Sequence, residues 1–150
     1  MSLQVAKLSP ADRAAWEPLA RGYKAFYETP ITDAELERAW QWLMEDRQVH
    51  GLGAYLDGEL VGLVHFLFHG STWAPQVCYL QDLFTAPAAR GRGVGEALIE
   101  AVAAEAVRRG AGRCYWLTQD HNRVARGLYD KLAEHRGFIR YDYPLPAVPA

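Results

Sequence analysis

The sequence predicts an α/β protein built on one mixed sheet, and three observations carry that expectation. Up to residue 49 the apolar residues recur at helical spacing, and from His50 onward the period shortens to that of strands. Two strand-like runs, Leu52–Leu56 and Leu60–Phe68, flank Asp57-Gly58, a dipeptide suited to a two-residue hairpin turn. The second half then alternates strand, helix, strand, helix and strand.

The elements follow in order. Leu3 and Val5 alternate weakly and begin a first strand. Ser9-Pro10-Ala11-Asp12 supplies an N-cap, a proline at the first helical position and an acidic first turn. Trp16, Leu19, Ala20, Tyr23 and Phe26 form the stripe of that helix, and Pro18 inside it predicts a kink or a split. Thr32 and Glu35 read as a capping box, followed by the stripe Leu36, Ala39, Trp40, Leu43 and Met44. After the hairpin, a loop with Gly70, Ser71 and Pro75 leads to a third strand in the second half, Val77–Phe84. A glycine-rich turn and a long helix, Gly95–Arg109, come next, with Gly110 placed to end it. Arg113–Leu117 is expected as a strand, Asn122 to about Glu134 as a helix, and Phe138–Tyr143 as a last strand.

Composition narrows the function classes. The 150 residues fit one domain, and half of them are hydrophobic, enough for a substantial core. Sixteen basic against eighteen acidic residues give a formal charge of -2, unlike a dedicated nucleic-acid binder. No apolar run approaches the roughly 18 to 20 residues of a membrane span. The N-terminus lacks the pattern of an export signal, so a cytoplasmic location is expected. Two cysteines do not make a disulfide scaffold, and Cys78 and Cys114 read as small apolar fillers of strands. His65 and His69 lack acidic or cysteine partners at ligand spacing, so no metal is expected. Trp40 lies on the core stripe, which leaves Trp42 to line a pocket or a subunit contact.

The turn Arg90-Gly91-Arg92-Gly93-Val94-Gly95 is the most informative stretch. Three glycines let the backbone approach a ligand, and the helix start offers unpaired N–H groups and the positive dipole end. That combination suits a phosphate or pyrophosphate, and Arg90 and Arg92 add charge; a tight connection with no ligand is the alternative. A dinucleotide fingerprint counted from Gly91 and Gly93 would need glycine where Glu96 stands, and no Gly-Lys-Ser/Thr ending marks a P-loop. What fits is Arg/Gln-x-x-Gly-x-Gly/Ala, matched at Arg90, Gly93 and Gly95.

With this motif, the segment Tyr79-Leu80-Gln81-Asp82-Leu83-Phe84 and the stretch Thr118 to Tyr129, the chain resembles the GNAT superfamily of N-acetyltransferases. The resemblance is tightest from Leu60 to Ile139 and implies the GNAT acyl-CoA N-acyltransferase fold over residues 1–150 as a single domain. It implies acetyl-CoA as cosubstrate, its pyrophosphate on Arg90 to Gly95 and its pantetheine along Leu83, Phe84 and Thr85, with Asn122 in the second cofactor segment. It implies an amine acceptor, small or peptidic, and a homodimer, for which the aromatic C-terminal segment would supply a surface. Within the superfamily the segment is most similar to the diamine and polyamine branch. That branch carries glutamate where Gln81 stands, and relatives place Gly-Phe directly after Leu-Tyr-x-x-Leu, whereas Ala133-Glu134-His135-Arg136 intervenes here.

Transfer to an amine needs a held thioester, a deprotonated amine, a stabilised oxyanion and a protonated leaving group. Tyr129 is the candidate general acid for the thiolate, against the plainer reading of a tyrosine packed at a core margin. The base is undetermined. Alternation places Asp82 on one face with Leu80 and Phe84, as base or as buried structural carboxylate, and turns Gln81 to the other. Tyr27 and Glu28 fall where relatives build the acceptor wall. A non-catalytic acyl-CoA sensor on the same fold is the alternative to an enzyme.

Overall fold

The computed structural model of the protein describes residues 2–148. The chain divides into two compact units, one running to Leu117 and one from Thr118 onward.

The first unit is a five-stranded sheet with strands in chain order: β1 (Leu3–Lys7), β2 (His50–Leu56), β3 (Glu59–His69), β4 (Val77–Thr85) and β5 (Arg113–Tyr115). The first four run antiparallel, and β5 joins β4 in parallel. The hairpin forms as the sequence predicts. Asp57 and Gly58 both take positive φ, 52° and 85°, the backbone that a tight turn of matching twist requires. Helices α1 (Arg13–Phe26) and α2 (Asp33–Glu45) cover one face, and α3 (Val94–Arg108) covers the other. Alternation along β3 sends Leu63 into a core with Trp16, Leu19, Leu36, Trp40 and Leu43. Its neighbour Gly62 faces α3, where a Cβ would stand 2.7 Å from Val94 and 3.2 Å from Leu98. The sheet and α3 touch too closely there for any side chain.

Caps set the helix starts. The Asp12 carboxylate accepts from the Ser9 N–H at 2.8 Å, and a 3-10 turn, Pro10–Asp12, leads straight into α1. Thr32 and Glu35 exchange both bonds of the capping box, at 2.9 and 3.1 Å. Of the two outcomes the sequence allowed, the split does not occur: α1 runs unbroken through Pro18. The proline removes one donor, but it lies on the exposed side, where water can serve the orphaned carbonyl, while Trp16, Leu19 and Ala20 anchor the buried side. At the end of α3, Gly110 has φ 74°, and the Ala111 N–H reaches back to the Ala106 carbonyl at 2.9 Å.

Two features of β4 position the site. First, β5 pairs only from Val77↔Arg113 to Tyr79↔Tyr115, so among the described residues no β5 partner faces Leu80 to Thr85. Second, the β3–β4 register jumps between His65↔Asp82 and Phe66↔Leu80, leaving Gln81 as an extra bulged residue.

The second unit contains α4 (Arg123–Leu132), capped by Asn122, whose Oδ1 accepts from the Ala125 N–H at 3.3 Å. Val124 is exposed. The last strand expected at Phe138–Tyr143 is not formed. Strand propensity without a ladder partner does not fix an extended segment, and Phe138, Ile139, Tyr141 and Tyr143 are exposed. Arg140 and Asp142 pair locally at 2.9 Å instead.

Candidate functional site

The glycine-rich turn sits between β4 and α3, as its sequence suggests. Gly91 and Gly93 have φ of 78° and 80°, and a Cβ at either would meet nothing within 4 Å. The backbone therefore borders open space in a conformation that side-chain-bearing residues avoid. Gly93 is the N-cap of α3, and the first helical bond runs from the Ala97 N–H to the Gly93 carbonyl at 3.0 Å. The amides of Val94, Gly95 and Glu96 lie ahead of that ladder and face the helix's N-terminal end. The buried Val94 side chain pins this end under the sheet. Arg90 bends back so that Nε donates to the Thr85 carbonyl at 3.4 Å, with its guanidinium 5.8 Å from the Phe84 ring. These donors suit a polyanion such as a pyrophosphate.

Leu83, Phe84 and Thr85 lie on the part of β4 that has left β5. That divergence leaves a strand edge able to bond an extended ligand through its backbone. A cavity of about 510 Å³ runs beside it between α1 and the turn, lined by Leu19, Gly22, Phe26, Phe84, Pro87 and Arg90. Its apolar walls and single guanidinium match an uncharged chain that ends in phosphate.

A second cavity, of about 410 Å³, opens between α2 and the strands β3 and β4. Trp42, Leu43, Val49 and Leu67 form its apolar walls, and His65, Gln81 and Asp82 supply polar groups. The bulge explains this grouping and corrects the alternation argument. Leu80 pairs with Phe66, whose ring lies 5.4 Å from His50 on the α3 side. Asp82 pairs with His65 on the α1 side, so Leu80 and Asp82 face opposite ways, and Gln81 and Asp82 border one cavity. Phe84 shares the face of Asp82, as alternation predicts.

Asp82 belongs to a buried relay that the sequence did not reveal. The Trp16 Nε1–H donates to His65 Nε2 at 3.1 Å, and His65 Nδ1 lies 2.9 Å from Asp82 Oδ2. Indole nitrogen only donates, so Nε2 must accept and the imidazole proton sits on Nδ1, pointing at the carboxylate. Burial alone would push the Asp82 carboxyl up. The hydrogen bond from His65 opposes it first, followed by the positive charge of His65 when its ring is protonated, the nearby positive Lys24 and the Tyr23 hydroxyl, and together they hold the carboxyl below the ordinary aspartate range. Burial, then the Asp82 charge, pushes the Tyr23 phenol well up, so it stays a neutral donor. Its hydroxyl reaches the Gln81 carbonyl at 3.5 Å. The signal available in the sequence was Trp16 itself, because a core indole needs an acceptor for its N–H.

Tyr27 caps α1 and packs 5.1 Å from Tyr23, which places it in the aromatic group beside Asp82. Glu28 is exposed, with φ 53°, and lines neither cavity. Arg92 is exposed on the turn. In the second unit, Asn122 serves as the cap of α4, its Nδ2 also donating to Thr118 Oγ1 at 3.4 Å, and Tyr129 is half-buried on the same helix. Cys78 and Cys114 are register partners on the α3 side, and the hydrogen bond with Cys114, then burial, pushes the Cys78 thiol up. Among the described residues, no group of three His, Cys, Asp or Glu could hold a metal ion. None of the described helices is long and apolar enough to cross a membrane.

Comparison with known proteins bears directly on this geometry. Residues 16–133 match the Acetyltransferase (GNAT) family. The chain is 33% identical over 142 residues to the D-amino-acid N-acetyltransferase HPA3 of Saccharomyces cerevisiae, covering 91% of this chain and 88% of that one. It is 33% identical over 151 residues to the uncharacterized N-acetyltransferase YhfO of Bacillus subtilis, covering 98% and 99%. Its fold superposes with a TM-score of 0.84, at 17% identity and over 98% and 100% of the two chains, on AAC(6')-Iy in complex with the bisubstrate analog CoA-S-monomethyl-acetylneamine.

Proposed function

The chain belongs to the GNAT family of acetyltransferases, and we propose that it acetylates a primary amine by direct attack within a ternary complex. It is an enzyme that uses acetyl-CoA as donor and an amine as acceptor. The observation that carries the finer reading is the start of α3, where three amides outside the helical ladder lie beside two positive-φ glycines over open space. The pyrophosphate of acetyl-CoA takes this position, the pantetheine follows the free edge of β4, and N–H groups near Leu83 and Thr85 polarise the thioester carbonyl. The amine nitrogen, after losing a proton to water, attacks the carbonyl carbon. The C–N bond forms, the C–S bond breaks, the leaving thiolate takes the phenolic proton of Tyr129, and the proton that the new amide nitrogen sheds returns through water to the tyrosinate. Direct attack is supported by the placement of both free thiols, which face each other on the side of the sheet away from the Asp82 cavity.

Two substitutions test this reading. Gly93→Val puts a side chain into the anion space at a φ of 80°. It abolishes CoA binding by calorimetry while costing about 1–3 kcal/mol of stability from backbone strain. Retained affinity would remove the pyrophosphate site. Tyr129→Phe lowers turnover about 10²- to 10⁴-fold, with acetyl-CoA affinity nearly unchanged, because the ground-state thioester needs no proton. If more than about half the turnover survives while chemistry is rate-limiting, Tyr129 is a packing residue.

We further read residues 1–150 as one catalytic domain, a reading supported by a family match that crosses the boundary between the two units. A cytoplasmic homodimer completes the proposal. The exposed run Phe138, Ile139, Tyr141 and Tyr143 is the surface a second copy would cover. Light scattering at micromolar concentration then gives twice the 16.8 kDa chain mass, and a monomer throughout would refute the dimer.

A further inference from the structure

We infer that Trp16 and His65 are positioning residues that hold an ionised Asp82 at the α2-side cavity, so that this cavity admits a compact apolar monoamine as its ammonium ion. The inference rests on the acetyltransferase reading and adds the acceptor's chemical class. Four observations carry it.

The relay has one direction. Trp16 is 1% exposed, and its indole N–H occupies His65 Nε2 at 3.1 Å. The imidazole proton is thereby confined to Nδ1, 2.9 Å from Asp82 Oδ2, and the ring in this tautomer is an uncharged donor. The carboxylate gains a hydrogen bond without gaining a neutralising cation.

Nothing else neutralises it by contact. Among the described residues no Lys or Arg forms an ion pair with Asp82, whose only ion-pair-range partner is His65. The charge is held by hydrogen bonds from His65 and Tyr23 and by the nearby Lys24, so the carboxylate stays ionised with no Lys or Arg in contact and can take a cation from a ligand.

The cavity wall is apolar on its other sides. Trp42, partly exposed at 38%, stands with Leu43, Val49 and Leu67, and the volume of about 410 Å³ suits a small molecule. Among the described residues, Asp82 is the only acidic one lining it. Among the described lining residues, a second ammonium on the same ligand would find no second carboxylate, only Gln48, Gln81, His65 and apolar surface, which disfavours polyamines and aminoglycosides.

Asp82 is also unsuited to remove the proton itself. Its carboxyl is held below the ordinary aspartate range, while an alkylammonium releases its proton near pH ~10, so proton transfer to it runs uphill. It orients the ammonium, which sheds its proton to water before attack.

The test uses the full chain, labelled at histidine nitrogens, with 2-phenylethylamine as probe and 2-phenylethanol as its neutral counterpart. In the free protein at pH 7 the His65 resonances report the Nδ1–H tautomer. Adding 2-phenylethylamine shifts the His65 Nδ1 signal, and 2-phenylethanol at the same concentration leaves it in place. An Nε2–H tautomer, or equal shifts from amine and alcohol, would overturn the inference whether or not the protein turns over any amine. In kinetics, kcat/KM for 2-phenylethylamine exceeds that for spermidine by at least about tenfold, the value of one unpaired ammonium. His65→Met removes both bonds and raises KM for 2-phenylethylamine about 10- to 30-fold with kcat changed less, the loss expected for a charge-assisted hydrogen bond. His65→Gln, whose amide can accept from Trp16 and donate to Asp82, restores KM to within about threefold. A preference for spermidine, or equal KM for the Met and Gln variants, would defeat the assignment. A wild type that acetylates no amine yet shows the ammonium-specific shift would overturn the acetyltransferase reading and leave the cation site standing.

Discussion

His50 and His65 are the two polar residues buried in the sheet among those described, and each points Nδ1 at an aspartate and Nε2 at a donor. Their surroundings differ in one respect. The partner of His50, Asp46, also pairs with Lys7, and His50 Nε2 faces the Arg109 guanidinium at 3.5 Å. Burial pushes the Asp46 carboxyl up, but Lys7 and His50 together bring it below its ordinary range. Every charge there has an opposite charge in contact, and neither cavity includes any of these residues. Around His65 the donor is a neutral indole, the aspartate has no cation in contact, and the pair lines a cavity. The same side-chain pair thus closes one face of the sheet and leaves a charge available on the other, at neighbouring register positions. What separates structure from recognition is whether the carboxylate's charge is already satisfied.

The largest expected effect breaks the comparison at its centre. Asp82→Asn removes the charge that has no cation in contact and lowers kcat/KM for the amine about 100-fold, the size of a lost charge-assisted contact, while the amide oxygen still accepts from His65 and the thermal midpoint moves little. Asp46→Asn does the reverse: it costs about 1–2 kcal/mol in denaturant melts and leaves kcat/KM within about twofold. If both variants lose activity alike, the two clusters do not divide as described.

How far the sequence foretold this contrast depends on the kind of information each part needs. The glycine turn was legible because its signals are local: Gly91, Gly93 and the start of α3 lie within a few residues of one another. The caps at Ser9 and Thr32 and the hairpin at Asp57-Gly58 were legible for the same reason. The Asp82 relay was not. It joins α1, β3 and β4, and the face of Asp82 depends on a bulge at Gln81 that alternation does not announce. His65 and His69 share a strand face in the sequence pattern, but His65 bonds to Trp16 and Asp82, and His69 Nε2 lies 3.3 Å from the Tyr115 hydroxyl. The failure at Phe138–Tyr143 has another cause. Its composition favours a strand, but a strand exists only through a partner, and sequence alone does not supply one.

The smallest expected effect lies in the His50 cluster and sharpens the contrast through pH. Glu105 accepts from Arg108 and from Arg109 Nε at 2.8 Å, and Arg109 is the guanidinium that faces His50 and stands 4.7 Å over the Phe68 ring. Hydrogen bonds from Arg108 first, then Arg109, hold the Glu105 carboxyl at about 2, below its ordinary value of 4.5. The folded state therefore binds its proton less readily than the unfolded chain does. The stabilisation is fully present above about pH 4.5 and is lost as pH falls toward about 2. The group is near the surface, so its contribution is about 0.5–1 kcal/mol after solvent screening. Glu105→Gln then lowers the thermal midpoint at pH 7 by about 1–4 °C, and the gap from wild type narrows steadily in melts taken from pH 5 to pH 3. Turnover at pH 7 stays at the wild-type level, because the residues this carboxylate holds lie on the face opposite Asp82. A gap that stays constant with pH would mean that Glu105 contributes packing rather than charge. A loss of turnover would mean that the closed face of the sheet also shapes the open one.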